Sequence, residues 1–238
     1  MRGLVALCLG LAACRDPAPP DRGREPVVEP ATRRCQVPDG TSASPGSIAA
    51  AIDLINALPP PVDIACFIES LDRPLQVVAT ASAFSAQPSG DVRAPRVFIR
   101  SGALTMAVVP IGLGKHLLEF SEHAGERRSI KGELELPAKG PLPPSAAFDR
   151  VRVGEATTCS VCHDGEAPVD ALAVAYGSET LRPLPEFDVP VANLRSEAQR
   201  CQDMSADARP PRCALLGALF GHGDVEPGTL PAGRICHG

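Results

Sequence analysis

Between residues 62 and 153 the chain breaks into short apolar or alternating runs, 62–68, 75–81, 96–100, 103–110, 116–122, 130–136 and 148–153, separated by Gly, Pro, Ser and Asp. No helical repeat intervenes between these runs. Alternation at period two buries one face of a strand, and strands this short must pair with their neighbours through tight turns. Ser101-Gly102 and Ala124-Gly125 sit where hairpin connections are needed. The pattern predicts a mainly β fold with a few helices, an antiparallel β-sandwich-like domain spanning 35–153. One helix is expected ahead of the strands, over 47–58. There Ser47 can cap the N-terminus, Ile48, Ile52, Ile55 and Leu58 recur at helical spacing, and Pro59-Pro60-Pro61 stops the helix.

Composition narrows the function classes. A net charge of −5, no Trp and a single Tyr, Tyr176, leave neither a basic stripe nor a stacking surface. Nucleic-acid binding and sugar stacking are therefore excluded as expectations. G-x-S-x-G, P-loop, H-E-x-x-H and dinucleotide fingerprints are all missing, and Gly112-Leu113-Gly114 lacks the third glycine of the last of these.

After Val153 the character changes. Residues 154–238 are Pro-rich, with helices expected over 170–176, 193–201 and 213–220, the last ending at Gly221. This segment carries Cys159-Ser160-Val161-Cys162-His163, two thiols three positions apart followed at once by an imidazole. C-x-x-C-H is the attachment motif for c-type haem. Through these positions the segment resembles a small c-type cytochrome domain. The resemblance implies that Cys159 and Cys162 form thioethers to one covalent haem c and that His163 is the proximal iron ligand. It departs from the usual pattern in that a strand-like run, 148–153, leads into the motif instead of an amphipathic helix. The readings without haem are a disulfide using Cys159 and Cys162, a zinc site adding Cys236 and His237, and a thiol-exchange motif.

For the second axial position the candidates are Met204, in a polar loop, and His222, in Gly221-His222-Gly223 after an apolar helix. His222 is preferred, because Leu216, Leu219 and Phe220 on its helix bring pocket material with it. No substrate-binding constellation accompanies the motif, so an electron carrier is expected sooner than an enzyme.

Haem is attached outside the cytoplasm, and the N-terminus reads as an export signal. Met1-Arg2 gives a basic start, residues 3–13 an apolar run, and Leu11-Ala12-Ala13-Cys14 small residues before a cysteine. An apolar stretch of this length is too short to span a bilayer. It resembles the lipobox of bacterial lipoproteins, which implies a signal peptide over 1–13 and a diacylglycerol on Cys14. Residues 15–34 hold five Pro and nine charges of mixed sign, a composition that reads as an extended tether over 14–34.

Nine cysteines are present. Setting aside Cys8, Cys14 and the motif pair leaves five, an odd number. Cys35 with Cys66 and Cys201 with Cys213 suit short structural loops and leave Cys236 over, although spacing alone does not fix connectivity.

The sequence thus predicts a cell-envelope protein anchored through acylated Cys14 to membrane lipid. The anchor is expected on the outer membrane, facing the periplasm or the cell surface. The protein would exchange electrons with an unknown redox partner protein and bind no nucleic acid. The alternative is a disulfide-stapled surface lipoprotein with a partner-binding β-sandwich and no cofactor.

Overall fold

The computed structural model describes residues 33–170 and 172–235. The expected signal peptide 1–13, Cys14 with most of its tether, and Cys236 and His237 lie outside these residues.

Helix α1 (Ile48–Ala57) begins at the expected cap, where the Ser47 hydroxyl accepts from the Ala50 N–H. It buries Ile48, Ala51, Ile52, Leu54 and Ile55. Helix α2 (Ile64–Ser70) follows, then strands β1 (Leu75–Thr80), β2 (Arg96–Ser101), β3 (Leu104–Val108), β4 (Leu117–His123) and β5 (Arg128–Glu135). Helix α3 (Ala146–Val151), short strands β6 (Arg152–Val153) and β7 (Ala156–Thr157), and strands β8 (Ala167–Val169), β9 (Leu172–Glu179) and β10 (Leu181–Arg182) come next. The chain ends with α4 (Val191–Asp203), α5 (Arg212–Phe220), β11 (Val225–Pro227) and β12 (Arg234–Ile235).

The protein is mainly β with a few helices, as the run pattern predicts. Eight strands form one sheet in the order β11-β1-β2-β3-β4-β5-β9-β8, antiparallel throughout except where β11 runs parallel to β1. Both expected hairpins are present. Gly102, with φ 57°, turns β2 into β3, and Gly125, with φ 110°, starts the turn from β4 to β5. Residues beyond Val153 contribute β8, β9 and β11 to the same sheet that β1–β5 build. Two further two-stranded ribbons, β6–β7 and β10–β12, flank it.

One sheet face is the core. Val97, Ile99, Met106, Leu118, Phe120 and Leu134 are buried there together with the apolar faces of the helices. On that face Glu122 accepts the Ile48 N–H at 2.8 Å and ties α1 to β4. Gly132 lets α3 lie close, since a Cβ there would stand 3.1 Å from that of Ala147. Disulfides join Cys35 to Cys66 and Cys201 to Cys213. Each ties together neighbouring parts of the helical layer.

Three local expectations are corrected. Run 62–68 contains α2 and not a strand, because Asp63 accepts the Cys66 N–H at 2.7 Å as an N-cap and buried Phe67, Ile68 and Leu71 lie on one helical face. Run 148–153 is mostly α3, whose Ala147, Phe148 and Val151 are buried at helical spacing. The helix expected over 170–176 is instead strand β9, whose residues pair with β5 and β8. The two later helices stand where expected, as α4 and α5.

Candidate functional site

The second face of the sheet is polar. Strand alternation places Arg96, Phe98 and Arg100 of β2, Glu119 and Ser121 of β4, Ser129, Lys131 and Glu133 of β5, and Ser178 of β9 on it. The register sets Glu119 opposite Glu133, Ser121 opposite Lys131 and Ser129 opposite Ser178. Arg96 bonds both Ser85, in the loop after β1, and Glu119, and its guanidinium lies 5.0 Å from the centre of the Phe98 ring. The 82–94 loop therefore covers one part of this face, and the segment bearing the motif covers another.

That segment is held at its base by β6–β7 and at its tip by Glu166. The Glu166 carboxylate accepts both the Thr157 N–H, at 2.7 Å, and the Thr157 hydroxyl. The same Thr157 oxygen accepts the Cys159 N–H at 3.1 Å and so caps a single 3-10 turn over Thr158–Val161. The Cys159 carbonyl then accepts the N–H groups of Cys162 and His163, at 3.1 and 2.9 Å. These bonds fix the turn that carries all three motif side chains. Both thiols are free, with Cys159 half-buried and Cys162 exposed, whereas the other four cysteines of the described residues are paired.

His163 is anchored to β9. Its Nδ1 lies 2.8 Å from the Glu179 carbonyl oxygen. A carbonyl only accepts, so Nδ1 carries the proton and Nε2 keeps its lone pair. Burial and the nearby Lys131 ammonium push the imidazole pKa down to about 4, which keeps the ring neutral at physiological pH. Burial also raises the pKa of the Cys159 thiol, with Lys131 acting in the opposite direction. Around the turn, Arg128 donates to the carbonyls of Gly165, at 3.0 Å, and Gly177, at 2.8 Å. Arg234 pairs with Asp164 and Glu179.

These features fit a covalently attached haem in its donor set. Two unpaired thiols and a neutral imidazole share one turn, and the second ring nitrogen of that imidazole is oriented by a backbone carbonyl, as metal-bound histidines require. Among the described residues, the motif turn included, no group of three or more His, Cys, Asp or Glu side chains is placed to hold a metal ion.

The structure does not bring His222 to this turn. His222 lies just before β11, with its Nε2 3.7 Å from a Glu69 carboxylate oxygen of α2. Six strand intervals separate β11 from β9, about 29 Å at ~4.8 Å each. Two imidazoles on one iron need their nitrogens about 4 Å apart, at ~2 Å per metal–nitrogen bond. His222 instead belongs to the α2–α5 contact, where Arg73 also donates to the Leu219 and Ala218 carbonyls at 2.6 and 2.8 Å. Met204, the C-cap of α4, lies on the same distant side, since α4 packs on β1 and β11.

Thr157, Glu166, Glu179 and Lys131 are the site residues that sequence reasoning missed. A Thr two positions before the first thiol is an ordinary cap residue and was a usable signal. Lys131, at an alternate position of a strand, reads as a solvent-facing residue, Glu166 closes the motif segment onto Thr157, and Glu179 meets His163 from strand β9.

Comparison with protein-family models, with curated proteins and with solved structures finds no match to this chain.

Proposed function

We propose that this chain is an exported, lipid-anchored c-type-cytochrome-like protein that holds one haem covalently and passes electrons to a redox partner in the cell envelope. The observation that carries the reading is the His163 arrangement. Two free thiols and an imidazole with an available Nε2 occupy one capped turn, and Glu179 holds the opposite ring nitrogen.

In this reading Cys159 and Cys162 anchor the macrocycle and His163 ligates the iron through Nε2. When bound, the haem supplies a one-electron couple. Glu179 fixes the His163 tautomer and ring direction, which raises the basicity of the ligating nitrogen. Glu166 and Thr157 hold the turn on which the two thiols and the imidazole are carried. Cys14, by its resemblance to a lipobox, tethers the folded part to an outer-membrane surface through residues 14–34, at up to roughly 60 Å reach. None of the described helices is long and apolar enough to cross a membrane.

Expression of the full chain with export and haem maturation tests the reading. A red protein whose Soret band survives denaturation and acid–acetone extraction is expected. Cys159→Ser or Cys162→Ser should weaken retention, and the double substitution should abolish it. A colourless protein with both thiols free or oxidised, from cells that mature a control cytochrome, contradicts it and favours the disulfide-stapled, cofactor-free alternative.

A further inference from the structure

Two loops leave the same end of the sheet. β1 and β3 run in one direction with β2 between them, so the loop after β1, 82–94, and the loop after β3, 109–116, emerge side by side. They pack on one another. A Cβ on Gly90 would overlap the Ile111 side chain, and one on Gly114 would stand 2.9 Å from the Gln87 Cγ. The first loop is also pinned from below, where Arg96 bonds Ser85 and Arg93 donates to Glu197 at 3.1 Å. The pair forms one lobe.

The tips of this lobe are apolar. Phe84 and Val92 are 58% and 62% exposed, and Leu113 stands fully exposed at the start of the 3-10 turn Leu113–His116. Apolar residues exposed singly are ordinary, but these three large ones share two loops that touch. Cations flank them. Exposed Lys115 follows Leu113 by two positions, and its ammonium has no partner among the described residues. Arg93, next to Val92 and half exposed, shares the buried Glu197 carboxylate with Arg200 and Arg212. Even with Asp91, which accepts the Arg93 N–H, four cations face two carboxylates around Val92 and Leu113, in a chain whose net charge is −5. Apolar tips that enter the acyl boundary, with cations placed to meet lipid phosphates, suit a bilayer interface. The tether keeps one in reach, since its span of up to roughly 60 Å is about twice the ~27 Å of an eight-residue strand.

We infer that the lobe formed by residues 82–94 and 109–116 is a membrane-contacting surface, with Phe84, Val92 and Leu113 entering the headgroup region of a bilayer and Lys115 and Arg93 meeting lipid phosphates. The bilayer as occupant rests on the proposed anchoring through Cys14. Contact through this lobe orients the molecule. His163 is bonded to Glu179, which lies opposite Arg128 at the start of β5, the other end of the sheet from the lobe. The motif turn then points away from the lipid, where a redox partner can approach it.

The chain has no Trp, so single substitutions report position by fluorescence. Phe84→Trp, Leu113→Trp and Val161→Trp, each at an exposed side chain, are made in the full chain, exported without haem maturation because haem would itself quench the emission. Each is reconstituted in vesicles of phosphatidylethanolamine and phosphatidylglycerol, with and without brominated acyl chains. Phe84→Trp and Leu113→Trp should shift to the blue and lose emission at least twofold to the brominated lipid, whereas Val161→Trp, on the motif turn, should keep its solution emission. Adding Lys115→Gln to Leu113→Trp should weaken the quenching on these vesicles and leave it unchanged on phosphatidylcholine. Equal quenching at all three positions, or quenching at none, overturns the inference. A chain without an acyl group, read from its mass, defeats the anchor reading instead. The lobe is then judged by the same spectra in excess added vesicles, where quenching at Phe84→Trp and Leu113→Trp alone supports it and indifference overturns it.

Discussion

At the scale of single residues, Thr157 and Glu166 decide whether the motif is presented as a unit. One carboxylate satisfies a backbone N–H and a hydroxyl, and that hydroxyl oxygen caps the turn. Glu166→Ala should cost about 1–3 kcal/mol of folding stability, the usual penalty for leaving partly buried donors unpaired, with Glu166→Gln costing less. Urea unfolding of the haem-free chain measures both. Lys131 carries a pH signature. Burial pulls its pKa down from 10.5 to about 8, so between those values the unfolded chain holds a proton that the folded chain has released. Stability of the haem-free chain therefore rises as pH climbs through that window, and at pH 7 the buried charge is a burden. Lys131→Met should be more stable than wild type by about 3 kcal/mol at pH 7, with the gap closing above pH 10.5. A gap that does not change with pH would contradict this. The thiols and His163 were legible in the sequence because they are contiguous. Lys131, Glu166 and Glu179 were not, because their roles arise only when β5, β9 and the turn come together.

At the scale of elements, local chemistry wrote some boundaries and tertiary contacts wrote others. Ser47 and the triple proline bracket α1 in the sequence, and Gly102 and Gly125 mark their hairpins. Short apolar runs are ambiguous between strand and buried helix. Runs 62–68 and 148–153 became α2 and most of α3 because each packs onto the sheet or a neighbouring helix, and 170–176 entered β9 because β8 folds back to pair with it, Pro168 opposite Tyr176 and Val169 opposite Leu172. Gly132 is the contact point for α3. Gly132→Val should destabilise by about 1–3 kcal/mol through overpacking against Ala147, measured by thermal unfolding. The two disulfides close sequence separations of 12 and 31 residues. Replacing both cysteines of a pair by Ser should cost about 3 kcal/mol for the Cys201–Cys213 pair and about 4 for the Cys35–Cys66 pair, following loop-closure entropy. Equal losses for the two would contradict that scaling.

At the scale of the whole molecule, the sheet has two uses. Its apolar face, with α1 and α3, makes the core. Its polar face seats the turn that carries Cys159, Cys162 and His163, and strands from both the early and late parts of the chain build it. Axial partners proposed from sequence proximity to apolar helices, His222 and Met204, fall at the far edge of that sheet, a separation that only the strand order reveals. If Cys14 is acylated, wild type should fractionate with membranes and Cys14→Ser should be soluble or unprocessed. Salt should change the partition little, because the tether carries charges of both signs.

Peptide mapping of the matured protein tests the central claim most directly. Trypsin should release residues 153–195 as one peptide holding both thiols, since the Arg182-Pro183 bond resists cleavage. The account predicts that this peptide carries the mass of one haem and that neither Cys159 nor Cys162 can be alkylated after reduction. Recovery of the same peptide without haem, with both cysteines alkylated, from cells that mature a control cytochrome would contradict it.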